Sequence, residues 1–290
     1  MTGVRGAILS IQSQVAYGHV GNSAAMLPLQ RLGFDVFALN TVQLAHHPGY
    51  GTWRGHKLGP EQLGEILGGL EERGVLGRCV AVLSGYLGDA AVADVVLRAV
   101  AAVRGACPQA CYLCDPVIGD DGPGVFVSAG VPEAIGLRLV PLADVAVPNR
   151  FELAHLTGQS IRSLEDALAA AAALRARGPR LVVATGLELS ERPDELAVLA
   201  ATAEEAWLVA TPRLPLAVGG GTGDAFSALF LGHYLAAADL RTALERAVAA
   251  MFALAARTCA EGAEELCLVA AQNEMMAPAR HFAAVRLGPR

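Results

Sequence analysis

The 290-residue sequence has little charge, and the charge that it has is scattered along the chain. Only 17% of the residues are Asp, Glu, Lys or Arg, the formal net charge is −6, and no run of Lys or Arg stands out. Proteins whose main partner is nucleic acid usually carry a basic patch, because contacts to the phosphate backbone dominate their affinity. The composition therefore argues against a nucleic-acid partner.

Long apolar runs are also missing. The first residues lead into a strand-like segment without the apolar region of a signal peptide, and no stretch has the length needed to cross a membrane. Hydrophobic residues nevertheless make up 53% of the chain, which is enough for a large buried core. We therefore expect a soluble cytoplasmic protein with no membrane partner.

The six cysteines do not suggest a metal centre. Cys111 and Cys114 have the spacing of a metal or redox pair, but no second pair completes a zinc site. They lie in a segment that predicts a strand, in which residues three apart point to opposite faces of the sheet. We therefore predict that the cysteines serve packing, and we disfavour a shared metal.

The chain shows no linker, internal repeat or low-complexity segment, so we predict a single domain over residues 1–290. Strand-like and helix-like segments alternate, which is typical of an α/β protein with a parallel sheet. Predicted strands cover residues 4–11, 34–39, 79–83, 111–114, 144–147 and 180–184, with edge strands at 195–201, 205–210 and 282–287. The main predicted helices cover residues 22–32, 60–73, 167–177, 222–237 and 240–261.

Polar residues follow the predicted strands, at the sheet edge where ligands of α/β proteins bind. Ser13 follows the first strand, and Thr41 follows the second and opens a long loop over residues 41–59. Histidines and aromatic residues in this loop can stack on a planar ring. The alternatives are an ordinary surface loop and, less favoured because no carboxylate accompanies the histidines, a metal site. The residues concerned are His46, His47, Tyr50, Trp53 and His56.

Two further strand ends carry carboxylates. Asp115 stands before Pro116, which favours an extended backbone, and a carboxylate there can face a Mg²⁺–phosphate group directly or through water. The stretch after it is rich in Gly, Pro and Asp and suggests a mobile flap, with a turn-rich surface connection as the alternative. Asn149 and Glu152 have the spacing of a capping box, which explains them without any ligand, but they also follow a strand end where Mg²⁺ can bind.

The stretch from Gly219 to Asp224 has the strongest chemical signal. Its three consecutive glycines allow a close backbone approach, and the apolar run after Asp224 predicts a buried helix. A helix N-terminus that follows a glycine turn can hold a phosphate. A carboxylate at that place suggests a base that takes a proton from a hydroxyl group. The alternative is that Asp224 simply caps the helix.

With these segments in place, the chain resembles pyridoxal kinases of the ribokinase-like superfamily, and most closely the bacterial pyridoxamine/pyridoxal kinase type. The resemblance covers nearly the whole chain, and its motifs occur in the order of that family. They are residues 11–13 (IQS), 17–24 (YGHVGNSA), 39–43 (LNTVQ), 83–88 (LSGYLG), 114–119 (CDPVIG), 147–153 (VPNRFEL) and 221–224 (GTGD).

The resemblance implies a three-layer fold with helices on both faces of a mostly parallel sheet. It also implies an enzyme of vitamin B6 salvage that transfers the γ-phosphate of ATP to the 5′-hydroxyl of pyridoxal, with Mg²⁺ accompanying ATP, and a homodimer. It makes Asp224 the base and Gly221, Thr222 and Gly223 the anion hole. Implied contacts to the vitamin are Ser13, Thr41, His47, Pro48, Gly49, Tyr50, Tyr86 and Asp224. Implied contacts to ATP are Asp115, Val147, Glu152, Thr185, Thr211, Pro212, Arg213 and Leu214, with Asp115 and Glu152 at the metal.

Three departures from the family pattern concern the ligands. Pro48 and Gly49 stand where close relatives carry polar residues, and Thr185 stands where the closest relatives carry Lys. The segment before Gly219 is shorter by a few residues. The preference among pyridoxal, pyridoxine and pyridoxamine therefore stays open.

Other functions are weighed against the kinase. A kinase of the same fold can act on another hydroxymethyl heterocycle, such as the hydroxymethylpyrimidine precursor of thiamine. A non-catalytic vitamin B6 carrier is disfavoured by the intact Asp224 and its glycine turn. A Rossmann dehydrogenase is weaker still, because residues 219–224 do not fit G-x-G-x-x-G and lie late in the chain.

Overall fold

The computed structural model describes residues 5–218, 220–237 and 239–288, so that Gly219 lies outside the described residues. The strands are β1 (Ala7–Val15), β2 (Asp35–Leu44), β3 (Gly55–Lys57), β4 (Cys79–Ser84), β5 (Cys111–Cys114), β6 (Gly119–Asp120), β7 (Gly124–Val125), β8 (Val145–Ala146), β9 (Leu181–Leu187), β10 (Glu195–Ala201), β11 (Ala206–Pro212) and β12 (Val285–Leu287). The α-helices are α1 (Asn22–Arg31), α2 (Pro60–Glu72), α3 (Val92–Ala106), α4 (Val131–Ala134), α5 (Arg150–Thr157), α6 (Leu164–Arg175), α7 (Thr222–Ala236), α8 (Leu240–Glu261) and α9 (Gln272–Met276).

Ten strands form one sheet in the order β12-β11-β10-β9-β8-β5-β4-β1-β2-β3. The six neighbours from β9 to β2 pair in parallel, and the remaining strands add to the two sides in antiparallel orientation. The predicted mostly parallel sheet is therefore confirmed. The prediction that β10 and β11 are edge strands is wrong, because β12 pairs with β11 and takes the edge itself.

The sheet separates two hydrophobic cores and gives the fold three layers. Along β1, Leu9 and Ile11 pack with α2, α3, α5 and α6, whereas Ile8 packs with α1, α7 and α8. Successive strand residues point to opposite faces, so a central strand must be apolar on both. Cys111 packs with one core and Cys114 with the other, which confirms the packing prediction for this pair. All six cysteines are free.

The parallel strands bring their carboxyl ends to one edge of the sheet. The prediction that Ser13 and Thr41 follow their strands is wrong, because β1 and β2 continue past residues 11 and 39. Ser13 lies in the last part of β1, where the pairing with β2 is irregular, and Thr41 lies in the last part of β2. Tyr86 follows β4, Asp115 directly follows β5, and Asn149 follows β8. Residues that are far apart in the chain therefore meet at one place. Across the part of the chain that the structure describes, no helix combines the length and apolarity needed to span a membrane.

Candidate active site

Helix α7 begins on a glycine turn. Gly221 is the N-cap residue and has φ of 86°, a left-handed conformation that favours glycine. A side chain at Gly221 would overlap the carbonyl oxygen of His19. Thr222, Gly223 and Asp224 are the first three helical residues, so the alternative that Asp224 is the N-cap is wrong. The first turn of α7 instead offers backbone amides that lack helical partners.

Asp224 stands next to the turn between β1 and α1. The backbone amide of Gly21 donates a hydrogen bond to its carboxylate, and this contact favours the charged form. Burial acts in the opposite direction and is the larger effect, so that the pKa of Asp224 is raised above its ordinary value. A carboxylate with a raised pKa is a better proton acceptor, which suits a general base.

A second carboxylate, Asp115, is tied to the same helix. Ser227 lies one turn after Asp224, and its Oγ donates to Asp115 Oδ2 at 2.7 Å in a buried environment. Burial, and then the negative charge of Asp224, raise the pKa of Asp115, while the hydrogen bond from Ser227 lowers it. Ser227 was missed in the sequence, although a spacing of three residues on a helix places it on the same face as Asp224.

The third carboxylate belongs to the capping box of α5, which is confirmed. Asn149 Oδ1 accepts a hydrogen bond from the Glu152 amide at 2.8 Å, and Glu152 Oε2 accepts one from the Asn149 amide at 2.9 Å. Glu152 Oε1 accepts a further bond from the amide of Ile118 at 3.0 Å. Burial, and then the charge of Asp115, raise the pKa of Glu152. The capping box therefore also places a buried carboxylate beside Asp115.

Asp115 and Glu152 are buried and Asp224 is half-buried. The charge of Asp224 disfavours the charged form of Asp115, and the charge of Asp115 disfavours that of Glu152, so a cation among them would relieve this repulsion. Within residues 5–218, 220–237 and 239–288, no group of three or more His, Cys, Asp or Glu side chains could hold a metal by itself. Mg²⁺, however, commonly takes only one or two protein carboxylates and completes its shell with water and phosphate oxygens. The oxygen donors of Asp115 and Glu152 fit a Mg²⁺ ion that arrives with a nucleotide.

The turn between β1 and α1, which contacts Asp224, also packs against the end of β1. A side chain at Gly21 would overlap the backbone and hydroxyl group of Ser13, so Ser13 lies directly against Gly21. Asn22 fixes this corner from inside, because its side chain accepts from Ser10 Oγ at 2.7 Å and donates to Asn40 Oδ1 at 2.8 Å. The hydroxyl group of Ser13 is thus placed within the same site as Asp224.

Thr41 and Tyr86 form the adjoining wall. Thr41 is fully buried, and its Oγ1 donates to the carbonyl oxygen of Tyr86 at 2.6 Å. Burial raises the pKa of the Tyr86 hydroxyl group, so this group stays protonated. The Thr41 hydroxyl therefore shapes the turn after β4, on which the half-buried side chain of Tyr86 lies.

The loop after β2 contains a 3-10 turn over Pro48–Tyr50. His47 caps it by accepting the Gly49 amide on Nδ1 at 3.0 Å, which places the proton of the neutral ring on Nε2. Burial lowers the pKa of His47, an effect that the nearby carboxylate of Glu265 opposes, so the neutral form is favoured. His47 Nε2 lies 3.5 Å from the position that a Cβ on Gly220 would take. This loop is thus packed against the glycine turn.

The remaining predicted residues lie toward β9 and β11. Val147 is buried, and the amide of Thr185 donates to Pro148 O at 2.9 Å, next to the capping box. Thr211 and Pro212 end β11 rather than forming the predicted loop, and Arg213 forms an ion pair with Glu188. In the described part of the chain, no hydrogen bond or ion pair joins residues 211–214 to the three carboxylates.

Comparison with known proteins gives matches over most of the chain. The family model described as phosphomethylpyrimidine kinase matches residues 77–265. The chain is 52% identical over 277 residues to pyridoxal kinase PdxY of Rubrobacter xylanophilus, with 95% of each chain covered. It is 49% identical over 286 residues to pyridoxal kinase PdxY of Deinococcus radiodurans, covering 97% of this chain and 96% of that protein.

Solved structures agree with these matches. The pyridoxal kinase from Leishmania donovani in complex with ADP and pyridoxine superposes with a TM-score of 0.91 at 31% identity, covering 97% of this chain and 99% of that chain. The complex of the same enzyme with ADP and pyridoxamine gives a TM-score of 0.89, also at 31% identity and with the same coverage. The similarity thus extends over nearly the whole fold rather than over one motif.

Proposed function

The chain belongs to the pyridoxal kinase family, and we propose that it transfers the γ-phosphate of ATP to the 5′-hydroxyl group of pyridoxal. The observation that carries this function is the position of Asp224. Its carboxylate lies in the first turn of α7 and accepts the amide of Gly21, which packs against Ser13. His47 packs near Gly220 just before this turn, and the charge of Asp224 acts on Asp115, which in turn acts on Glu152. An acceptor site and a phosphate site therefore meet at one proton acceptor.

Asp224 acts as the general base. It takes the proton of the 5′-hydroxyl group as the oxygen attacks the γ-phosphorus, and the bond to the β-phosphate bridging oxygen breaks to leave ADP. The backbone amides of Gly221, Thr222 and Gly223 hold the negative charge of the transferred group. Because these amides are fixed at a helix N-terminus, they stabilise that charge with little reorganisation.

The pyridine ring of the acceptor lies between the end of β1, with the turn that leads to α1, and the loop after β2. Ser13 donates or accepts a hydrogen bond at the pyridine ring, and the His47–Tyr50 segment covers the ring. The neutral His47 ring offers an N–H group toward the glycine turn, while Thr41 and Tyr86 form the wall. Pro48 and Gly49 add no side-chain charge or hydrogen-bonding group near the ring substituents, so they do not select strongly among the vitamin forms.

The nucleotide lies toward β9. Asp115 and Glu152 would hold Mg²⁺, which would neutralise the charge of the ATP phosphates when bound. Thr185 contacts a phosphate oxygen, and Val147 and residues 211–214 line the nucleotide. Burial and the charge of a neighbouring carboxylate raise the pKa values of Asp115 and Glu152. A bound cation would offset both effects, so this place favours a cation.

A second candidate is a kinase for hydroxymethylpyrimidine, which the matching family model favours by its description. The experiment that separates the two uses the purified protein with Mg²⁺ and ATP, and compares pyridoxal, pyridoxine, pyridoxamine and hydroxymethylpyrimidine in parallel. We expect turnover on a vitamin B6 form, and loss of this turnover when EDTA is present. Turnover on the pyrimidine alone would overturn the assignment, and pyridoxal binding without turnover would point to a carrier.

Two broader properties belong to the same proposal. The reaction takes place in the cytoplasm, which agrees with the presence of six free thiols, because a reducing compartment maintains them. The protein works as a homodimer, as expected for this family. Sedimentation equilibrium of the purified protein measures the second property directly, and a monomer mass would contradict it.

A further inference from the structure

Glu265 joins two segments of the site that are distant in the sequence. Its Oε1 accepts a hydrogen bond from the hydroxyl group of Tyr50 at 2.6 Å. Its Oε2 accepts a hydrogen bond from the backbone amide of His19 at 2.9 Å. One carboxylate therefore connects the acceptor loop, which we define as residues 46–50, to the turn between β1 and α1.

The residues that flank Glu265 are buried or hydrogen-bonded to α8. The next residue, Leu266, is fully buried in the core on the side of α7 and α8. The amide of Cys267 donates to Thr258 Oγ1 at 3.1 Å, and the amide of Ala263 donates to the carbonyl oxygen of Thr258 at 3.2 Å. Glu265 thus lies in the segment directly after α8, and these bonds fasten that segment to the last turn of α8.

The acceptor loop, by contrast, faces solvent. Tyr50 is 39% exposed, and Trp53 just beyond the loop is 55% exposed. Apart from Glu265, the Tyr50 ring contacts the rings of Tyr17, at 6.2 Å between centroids, and His46, at 5.6 Å. Aromatic contacts of this kind contribute little where the rings are exposed, so the bond to Glu265 is the main polar restraint on the Tyr50 side chain.

The bond from Glu265 to the His19 amide also links Glu265 to the glycine turn at Gly221. The amide of His19 donates to Glu265, and the carbonyl oxygen of His19 lies so close to Gly221 that an added Cβ there would overlap it. The carboxylate also lies so close to Gly18 that a side chain at that position would overlap it. Movement of Glu265 would therefore affect the acceptor loop first and the backing of the glycine turn second.

We propose that Glu265 is a positioning residue that holds the acceptor loop closed over the vitamin ring. The inference rests on the proposed function, because it assigns the loop to the acceptor. In the described part of the chain no Lys or Arg forms an ion pair with Glu265, so its charge is available to the Tyr50 hydroxyl and the His19 amide. A hydrogen bond to an ionised acceptor is stronger than a neutral one, which explains the use of a carboxylate here.

The kinetic test compares Glu265→Gln with Glu264→Gln, a matched control that removes the same charge from an exposed neighbour. For Glu265→Gln we expect KM for pyridoxal to rise about tenfold, because a charge-assisted hydrogen bond is lost. We expect kcat and KM for ATP to change by less than about twofold, as for the control. Equal KM values for pyridoxal in wild type and Glu265→Gln would overturn the proposal.

A double-mutant cycle with Tyr50→Phe shows whether the effect passes through Tyr50. We expect Tyr50→Phe to raise KM for pyridoxal similarly, and the double variant to show little additional loss, because both changes break one bond. A merely structural role of Glu265 predicts additive losses and a lower unfolding temperature instead. Additive losses would contradict the proposal that Glu265 acts through its hydrogen bond to Tyr50.

Limited proteolysis measures how firmly the acceptor loop is held, and it does not depend on enzyme activity. Arg54 and Lys57 are the trypsin sites between Arg31 and Arg73, and both lie just after the acceptor loop. We expect faster cleavage at Arg54 in Glu265→Gln than in wild type or Glu264→Gln, because loosening of the loop exposes the backbone. Unchanged cleavage would overturn the positioning role of Glu265, even if the wild type proves inactive. Altered cleavage with an inactive wild type would overturn only the proposed kinase reaction.

Discussion

The two ends of the site are built differently. At the phosphate end, Asp115 and Glu152 are almost completely buried and are fixed by Ser227 and by backbone amides. At the acceptor end, Tyr50 stands on an exposed 3-10 turn whose polar tether comes from Glu265, 215 residues away in the chain. The chemical groups therefore belong to the core of the fold, and the acceptor is covered by a tethered surface loop.

The difference follows from what each end does. Transfer of a phosphoryl group depends on charges and donors that are already in place, and strand ends and helix N-termini supply these rigidly. The acceptor must enter and its phosphorylated product must leave, which requires a segment that can open. Changes at the phosphate end should thus alter kcat, whereas changes at the acceptor end should alter KM for pyridoxal.

The largest expected effect is that of Asp224→Asn. We expect kcat to fall by roughly 10²–10⁴, because the variant removes the base but keeps the shape of the side chain. KM for pyridoxal should change little, in contrast to Glu265→Gln. Steady-state kinetics with pyridoxal at saturating MgATP measure both values, and near-normal turnover would remove Asp224 from the role of base.

Gly221→Ala should give the next largest effect. The added Cβ overlaps the carbonyl oxygen of His19, and φ of 86° is strained for alanine, so the anion hole must shift. We expect kcat to fall about 100-fold, as for other displacements of catalytic geometry by about 1 Å. Gly262→Ala is the matched control, since Gly262 also has positive φ but no atom lies within 4 Å of an added Cβ. That control should lose stability only, and equal activity losses would contradict the role of the turn.

Asp115→Asn separates function from stability at the phosphate end. The pKa of Asp115 is raised from 3.8 to about 8, first by burial and then by Asp224. The folded protein without nucleotide therefore loses stability as the pH rises through this window, since ionisation is disfavoured in the folded state. We expect Asp115→Asn to be more stable than wild type at pH 8, by on the order of 2 kcal/mol.

The matching measurements are urea unfolding at pH 8 and pH 5, and kcat/KM for ATP. The stability advantage of Asp115→Asn should be smaller at pH 5, while kcat/KM for ATP should fall about tenfold or more through the loss of a metal-holding carboxylate. A variant that is less stable than wild type at pH 8 would contradict the account of buried repulsion.

The smallest expected effect concerns the far end of α7. Burial, and then the charges of Arg246 and Arg5, lower the pKa of His233 to about 4. The folded state thus loses stability as the pH falls from 6.5 toward 4, because the unfolded chain takes up a proton that folded His233 resists. The partly exposed position reduces this contribution to about 1 kcal/mol. His233→Gln should show a flatter dependence of the unfolding temperature on pH with unchanged kcat, and an equally steep dependence would contradict the assignment.

Features that depend on local sequence could be predicted well. The bounds of α8, the start of α7 at Thr222 and the capping box of Asn149 and Glu152 are all correct, because each is set by residues within one or two helical turns. Asp115 was recognisable from its place between a strand and Pro116. That residues 1–290 form one domain stays a prediction.

Features that depend on distant partners could not be predicted. The predicted edge strand at 282–287 is confirmed by β12, but β10 and β11 were wrongly assigned to the edge because the pairing of β12 with β11 joins segments more than 70 residues apart. The bonds of Glu265 to Tyr50 and His19 have no local pattern, since the partners are 215 and 246 residues away. The hydrogen bond from the Gly21 amide to Asp224 likewise joins residues that are distant in the sequence. The individual groups were therefore recognisable, but the contacts that orient them were not.

The most direct test separates the chemical step from binding in Asp224→Asn. Pyridoxal binding is measured at equilibrium, and the rate of phosphate transfer from labelled ATP is measured in a single turnover with enzyme in excess. We expect an unchanged Kd for pyridoxal and a single-turnover rate at least about 100-fold below that of wild type. A single-turnover rate close to that of wild type would contradict the placement of the chemistry at the N-terminus of α7.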